Sequence, residues 1–210
     1  MKKYFIYVLS VFFCTTLFAQ ENHSYPTIDI PYKKYTLDNG LTLIVSEDHK
    51  VPMVAFDIWY HVGSKNEKVG KTGFAHLYEH IMFTSSQHYP DFDRQMQTVG
   101  GGSNNGTTSS DRTNFFENFT PSGLDRVLWV ESDRMGFILN GLDSAKIEVQ
   151  RGVVQNEKRQ GDNQPYAISE ELIVKNTYPE NHPYAHSIIG SMEDLSAATV
   201  TDIKDRSEER

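Results

Sequence analysis

The sequence predicts an α+β fold in which a mostly antiparallel sheet carries helices packed on one face. Short segments of alternating apolar residues come first, and the turn Asp38-Asn39-Gly40 joins two of them as in a β-hairpin. Segments with helical periodicity follow and alternate with further strands. The chain has 210 residues, of which 38% are hydrophobic. This is enough for one ordinary domain with a sizeable core.

Five strands are predicted from alternation and turn signals. The hairpin strands are 32–37 and 41–45, a longer strand follows at 53–62, and two shorter strands are predicted at 107–109 and 113–120. The residues expected to face inward are Val54, Phe56, Ile58, Tyr60 and Val62 on the third strand, with Phe115 and Phe119 on the last.

Five helices are predicted, at about 72–84, 91–99, 121–139, 144–160 and 165–176. The third should bury the apolar stripe Leu124, Val127, Leu128, Met135, Ile138 and Leu139, with Trp129 also in the core, and the fourth should bury Ile147, Val153 and Val154. The glycine-rich segment 100–106 is predicted to be a turn. It lacks the Lys-Ser/Thr ending of a P-loop, which argues against phosphate binding.

The first helix contains the most informative pattern of the chain, His76-Leu77-Tyr78-Glu79-His80. Two imidazoles four residues apart project from one helix face, so both can bind one metal ion. Glu79 lies on nearly the same face, where a general base for an attacking water belongs. The alternative is a solvated helix with two surface histidines. The segment is apolar nearly all round, however, which favours a buried helix whose charged groups need partners.

Two further polar residues, Glu157 and His61, are candidate metal ligands by residue type. Glu157 follows Val154 by three residues and therefore lies on the inward stripe of its helix, for which metal ligation is one explanation. His61 lies on the face of its strand opposite to the apolar residues, and its sequence neighbours give it no partner, so an ordinary strand position is favoured.

The N-terminus is predicted to be an export signal. Lys2 and Lys3 precede an apolar run, and the small residue Ala19 suits a cleavage site, which predicts a signal peptide over 1–19 and a linker over 20–29. A membrane anchor is the alternative, but the run is short for a span. We therefore expect an exported protein, periplasmic or extracellular, with no stable membrane anchor after cleavage.

Composition narrows the chemistry further. The single cysteine, Cys14, lies in the predicted leader, so the mature chain would contain neither a disulfide nor a thiol nucleophile, and metal ligands must come from His, Asp or Glu. The net charge is −8, and loss of the two leader lysines lowers it to −10. This charge and the absence of a Lys/Arg-rich stripe argue against nucleic acid as a partner.

Several motifs in one order make the chain resemble the pitrilysin/insulinase family of zinc metallopeptidases, which includes the mitochondrial processing peptidase and is named inverzincin for its reversed HxxEH motif. The resemblance covers roughly residues 30–203. It is carried by Leu37-Asp38-Asn39-Gly40-Leu41, Gly73 to Phe83, Gly102 to Thr108, Asp111 to Phe115, Glu131 to Met135, Val153 to Glu157 and His182-Pro183-Tyr184.

The resemblance implies a zinc-dependent endopeptidase with one Zn²⁺ per chain. His76 and His80 would be zinc ligands, and Glu157, which lies 77 residues after His80 in the matching Val-Val-x-x-Glu context, would be the third. Glu79 would be the general base for a zinc-activated water that attacks the peptide carbonyl, and would later pass the proton to the leaving amine. One departure is Gln150, which stands where many members carry a second acid that supports the zinc site.

The family also binds its substrate, a peptide or unfolded protein, as an extra strand on a sheet edge. The matching segment here is Asn105-Gly106-Thr107-Thr108, in which Asn105, Gly106 and Thr107 are the predicted substrate-binding residues and Asn105 is the leading side-chain candidate. The alternative is that Asn105-Gly106 is simply a turn, and the sequence leaves the two open.

The resemblance identifies 30–204 as an N-terminal, zinc-bearing half-domain and 205–210 as a divergent charged tail. In the family a second domain of similar fold follows and closes the substrate chamber, so we expect a second half-domain or partner subunit. Two alternatives to an active peptidase remain: a non-catalytic binding subunit, and a truncated half that needs a partner domain to act on peptides.

Overall fold

The computed structural model describes residues 28–100 and 102–208. The predicted signal peptide over 1–19, and with it most of the predicted linker, lies outside these residues. Within them, no helix combines the length and apolar character needed to cross a membrane. The chain forms two compact units, one up to Lys50 and the other from Val51 onward.

The predicted hairpin makes up the described part of the first unit. Strands β1 (Lys33–Thr36) and β2 (Thr42–Val45) pair antiparallel. The turn between them uses Gly40 at φ +88°, a left-handed conformation that glycine adopts without a steric penalty. All eight strand residues are exposed.

The second unit contains a three-stranded antiparallel sheet in the order β3-β5-β4. Its strands are β3 (Val54–Tyr60), β4 (Asn104–Thr108) and β5 (Thr113–Phe119). Strand β4 includes Asn105 and Gly106, so the interpretation of these two residues as a turn is wrong. The ladder extends this far because β5 offers a complete set of backbone partners, ending with the Asn118 amide, which donates to the Ser103 carbonyl.

Seven helices are present in the described residues, and the α+β prediction is confirmed. They are α1 (Phe74–Met82), α2 (Phe92–Gln97), α3 (Leu124–Phe137), α4 (Ser144–Asp162), α5 (Ala167–Thr177), α6 (Met192–Ala197) and α7 (Val200–Glu208). The sequence predicted the first five. It missed α6 and α7, and α7 extends into the segment expected to be a charged tail.

The core lies between the inner face of the sheet and the helices. Alternate residues of β3 turn toward it as predicted, from Val54 to Tyr60, and Phe115 and Phe119 of β5 are fully buried. Helix α1 packs centrally, against strand β4 of the sheet and against helix α4. Its buried side consists of Phe74, Ala75, Leu77, Tyr78, Ile81 and Met82, together with Glu79.

The stripe predicted for helix α3 is only partly buried. Ile138, which directly follows the helix, is buried as predicted. Val127 is buried, but Leu128 and Met135 are 47% and 44% exposed, and Leu124 and Trp129 are also exposed. The buried residues of this helix are Val127, Val130, Glu131, Asp133 and Arg134. At the exposed positions the prediction failed because it assigned only apolar residues to the interior, whereas charged residues of α3 are buried there.

Arg134 explains why α3 buries charged residues and exposes apolar ones. Its guanidinium is fully buried over the ring of Phe115, 4.4 Å from the centroid, and pairs with Glu131 at 2.5 Å and with Glu117 of β5 at 3.4 Å. A buried charge persists only when it is paired, so the pairing of Arg134 with Glu117 turns this side of α3 toward the sheet, and Glu131 on the same helix adds a second partner. On helix α4, Val153 is likewise exposed although Val154 is buried, because adjacent helical residues point about 100° apart.

Candidate metal centre and active site

Helix α1 presents two histidines on the side that faces away from the core. Its apolar residues are buried against β5 and α4, which fixes the rotation of the helix about its axis. That rotation leaves the imidazoles of His76 and His80 only partly buried, one helical turn apart. Their rings meet edge to face with centroids 4.8 Å apart.

Helix α4 brings Glu157 to the same point. Oε2 of Glu157 lies 3.4 Å from Nε2 of His80 and 3.7 Å from Nε2 of His76, and the two Nε2 atoms are 3.3 Å apart. Val154, one turn earlier, is anchored in the core, which directs this part of α4 toward α1. The structure therefore brings together the three residues predicted as ligands, while His61 is exposed and lies outside the group.

The three atoms fit a tetrahedral metal ion. Zinc bonds of about 2.0–2.2 Å place tetrahedral ligand atoms roughly 3.3–3.6 Å apart, which is close to all three separations. Two neutral imidazoles and one carboxylate form a donor set typical of catalytic zinc, in which a fourth position stays open for water or substrate. Glu157 is 42% exposed, so the site is open on that side.

The electrostatics of His76 favour the form that binds a metal. Burial lowers the pKa of His76, the neighbouring His80 lowers it further, and Glu157 opposes both. A lowered pKa keeps the imidazole neutral, which leaves a lone pair for a metal ion. Nδ1 of His76 is buried without a hydrogen-bond partner in the described part of the chain.

Glu79 lies beside the three ligand atoms and contacts the sheet. Burial raises the pKa of this carboxyl, and a hydrogen bond from the Thr108 hydroxyl to Oε2 and the nearby His80 lower it again. Gly106 leaves the space for it, because a Cβ at that position would lie 3.0 Å from Cγ and Oε1 of Glu79. A buried carboxyl with a raised pKa suits a general base.

Strand β4 offers an open edge next to this carboxyl. Among the described residues it pairs with β5 on one side only. At the two ends of β4, backbone hydrogen bonds join Ser109 to Arg112 and Ser103 to Asn118, both toward β5. In an antiparallel ladder every second residue bonds to the same neighbour. The N–H and C=O groups of Asn104, Gly106 and Thr108 therefore face the open edge. The Gly106 N–H instead donates to Oδ1 of Asn105 at 2.9 Å.

Asn105 and Thr107, the other two predicted substrate residues, lie on the exposed face of strand β4. The hydroxyl of Thr107 donates to Oδ1 of Asn114 at 2.5 Å, and Arg112 donates to the Thr107 carbonyl at 3.2 Å. Arg112 also stacks over Trp59, 5.0 Å from the ring centroid. This network ties the Thr107 side chain to its own sheet, whereas the backbone of Gly106 and the side chain of Asn105 lie at the open edge.

A cavity of about 480 Å³ adjoins the site and has Glu157 in its wall. Helices α4 and α5 and the segment before α6 enclose it, with Tyr178 and Tyr184 on one side and Glu170 and Glu171 on another. A second cavity of about 260 Å³, between α2 and β5, contains none of the four site residues in its wall. A third cavity, of about 810 Å³, has Thr72, Lys158 and Met192 in its wall and likewise none of the four site residues. Of these three cavities, the one of about 480 Å³ is therefore the space that adjoins the candidate metal centre.

Two contacts of the site escaped sequence reasoning. Thr108 stands two residues after Gly106, on the same face of β4, and strand alternation could have identified it as a neighbour of Glu79. Glu67 binds the first turn of α1 from outside the helix, with Oε1 accepting from the Ala75 amide at 2.7 Å. No local pattern signals that contact, because the intervening loop sets it.

The chain also matches proteins of a known family. The family model for insulinase (peptidase family M16) matches residues 42–191. A zinc protease named PqqE from Helicobacter pylori is 34% identical over 177 residues, 82% of this chain and 39% of that protein. An uncharacterized zinc protease, YmxG from Bacillus subtilis, is 27% identical over 79% of this chain and 40% of its own length.

Solved structures support the same fold. The chain superposes on a protease from Helicobacter pylori with a TM-score of 0.79 and 31% identity, covering 85% of this chain and 43% of that one. Pitrilysin gives a TM-score of 0.75 at 24% identity, over 90% of this chain and 21% of pitrilysin. The chain thus spans about two fifths of the length of the curated relatives described above.

Proposed function

This chain belongs to the insulinase family, peptidase family M16, and from that premise we propose that it is the zinc-bearing half of an endopeptidase that hydrolyses peptide bonds. By family it is a metallopeptidase. The observation that carries the proposal is the convergence of His76, His80 and Glu157, whose ligand atoms all lie within 4.8 Å of one another. We assign these residues to a single Zn²⁺.

When bound, zinc would polarise the substrate carbonyl and lower the pKa of a water molecule. The chain's own residues would then handle the proton. Thr108 holds Oε2 of Glu79, so we assign Oε1 to accept the proton of the attacking water and to return it to the leaving amine. The raised pKa of Glu79 supports this role, because it brings the carboxyl closer to neutral pH.

The substrate would be a peptide or an unfolded protein bound as an added strand on β4. The open edge of Gly106 supports this binding mode, since backbone pairing gives affinity with little dependence on sequence. Asn105 would have to release the Gly106 N–H to the incoming strand. We assign Gly106, through its backbone, and Asn105, through its side chain, to substrate binding. Thr107 was also expected to bind substrate, but its backbone faces β5 and its hydroxyl donates to Asn114, so we assign it to holding the edge strand in place.

We also propose that this half acts together with a second half-domain or partner subunit. The relatives it matches are more than twice as long as the matched region, which supports a further domain in the active assembly. Without that partner the chain would be a half that binds zinc but lacks part of its substrate chamber. The sequence over 1–19 supports export, to the periplasm or the cell exterior.

Metal content tests the proposal directly. The purified chain, loaded with zinc and dialysed, should contain about one zinc per chain by elemental analysis. His80→Gln should lose it, whereas His61→Gln, which alters an exposed histidine outside the group, should retain it. A folded wild-type chain without zinc, or equal zinc in both variants, would contradict the proposed site.

A further inference from the structure

Helix α1 begins at a residue that cannot cap it. The N-cap is Gly73, which has no side chain and adopts φ +83°. A Cβ at this position would lie 2.4 Å from the Ile189 carbonyl oxygen, so the crossing of the two backbone segments excludes the serine or aspartate that usually caps a helix. The first amides of α1 therefore need an acceptor from elsewhere in the chain.

The carboxylate of Glu67 is that acceptor. Its Oε2 accepts from the Gly73 amide at 3.0 Å and its Oε1 accepts from the Ala75 amide at 2.7 Å. The side chain is completely buried. Such charge-assisted bonds at the positive end of a helix dipole are stronger than bonds between neutral groups.

A third group fixes the carboxylate in turn. Nε2 of His186 lies 3.0 Å from Oε2 of Glu67 and 3.1 Å from the Ser64 carbonyl oxygen. The segment around His186 is itself attached to the start of α1, because Asp194 accepts from the amide and the hydroxyl of Thr72. Glu67 thus joins the segment just before α1, the first turn of α1 and a segment 119 residues further along the chain.

The position of this junction matters for the metal centre. The amides held by Glu67 belong to residues 73 and 75, and His76 follows immediately in the same helical turn. His80 lies one turn further on, where core packing holds Ile81 and Met82. Loss of the carboxylate would therefore loosen the first turn, and with it His76, before it affected the rest of the helix.

We propose that Glu67 is a positioning residue of the metal centre, which sets the separation of the His76 and His80 imidazoles by holding the first turn of α1 from outside the helix. This inference rests on the proposed function, because it presupposes that the two histidines bind zinc. It assigns to Glu67 an effect on metal affinity that a cap on any other helix would lack.

The test compares zinc affinities of the full chain by competition with a chromogenic chelator. Glu67→Gln preserves the size of the side chain but removes the charge and one acceptor, and should weaken zinc binding about 10- to 100-fold. Asp91→Ala is the matched control, because Asp91 caps α2 by accepting from the Arg94 amide at 3.0 Å and touches no part of α1. It should lower the unfolding midpoint but leave zinc affinity within about twofold.

Each outcome is decisive. Zinc affinity of Glu67→Gln within about twofold of wild type would overturn the positioning role, even if the variant were less stable. A wild-type chain that folds but binds no zinc would overturn the proposed function and this inference together. Should Glu67→Gln not fold, Glu67→Asp keeps the charge but is one methylene too short to reach both amides. Its affinity should then fall, and unchanged affinity would again overturn the role.

Discussion

The hydroxyl of Thr108 donates a hydrogen bond to Oε2 of Glu79 and so joins the edge strand of the sheet to the helix that bears the metal-binding histidines. The strand proposed to receive the substrate and the carboxylate proposed as the base are therefore held by one contact. Gly106, two residues before Thr108, leaves the space for the same carboxylate. Substrate position and proton transfer would consequently be coupled through strand β4.

Glu79→Gln should retain zinc and lose hydrolysis. The amide cannot accept the proton, and general bases typically contribute 10²- to 10⁴-fold, so the rate should fall by about that factor. Hydrolysis of an internally quenched peptide by the active assembly measures it, with Glu148→Gln on the exposed face of α4 as control. A Glu79→Gln rate equal to wild type would remove Glu79 from the mechanism.

Thr108→Val should lower the rate without removing zinc. Valine has the shape of threonine but cannot donate to Glu79, and a hydrogen bond to a charged group contributes about 1.5–3 kcal/mol, so a decrease of about tenfold or more is expected. Thr108→Ser keeps the hydroxyl and should retain most of the activity. Equal losses in the two variants would show that packing, and not the hydrogen bond, matters.

Glu157→Ala should weaken zinc binding by more than about 100-fold. The substitution deletes one of the three ligands. Mutation of a residue that only supports a ligand already lowers metal affinity by about 10- to 100-fold, so the loss of a ligand should lower it further. Equilibrium dialysis against buffered zinc measures the change. Gln155→Ala on the same helix, which removes a bond to Ser196, is the control. Unchanged affinity in Glu157→Ala would exclude Glu157 from the site.

Gly190→Ala should destabilise the fold by about 3 kcal/mol or more. Gly190 has φ +76°, which strains any residue with a Cβ. The Cβ of an alanine there would also lie 2.4 Å from the backbone of Thr72 and Gly73, so the alanine would clash with it. Gly152→Ala in helix α4 meets nothing within 4 Å and should stabilise by up to about 1 kcal/mol. Chemical denaturation of both variants checks the opposite signs.

The His186–Glu67 pair should make stability depend on pH above pH 6.5. The hydrogen bond from His186 to Glu67 raises the pKa of His186 above 6.5, assisted by the charge of Glu67 and opposed by burial. Protonated His186 is thus bound more strongly in the folded state. Its contribution, about 1 kcal/mol, is complete below pH 6.5 and is lost as the pH rises through the folded pKa.

Unfolding free energies of wild type and His186→Gln between pH 5 and 9 measure that contribution. The groups facing His186 are Glu67, the Ser64 carbonyl and, at longer range, Asp194. The difference between the two proteins should be largest at pH 5 and shrink above pH 6.5. A difference that is constant across this range would mean that folding leaves the pKa of His186 unchanged, so that packing of its ring, and not its charge, stabilises the fold.

Local patterns in the sequence determined much of this protein. The Asp38-Asn39-Gly40 turn, the alternation along β3 and the spacing of His76 and His80 depend on residues within about one turn of one another. Backbone geometry alone fixes their relative positions, so they could be predicted without knowledge of the packing. The family resemblance added Glu157, which no local pattern could have paired with α1.

Tertiary packing decided the rest. Arg134 drew the charged side of α3 inward against the apolar pattern, and the crossing of residues 72–73 with 189–190 moved the capping of α1 to Glu67. Both outcomes join segments distant in sequence, whose separation is set by the whole core. Periodicity describes one segment at a time, so it cannot tell which charge will find a partner, and burial of a charge depends on that partner.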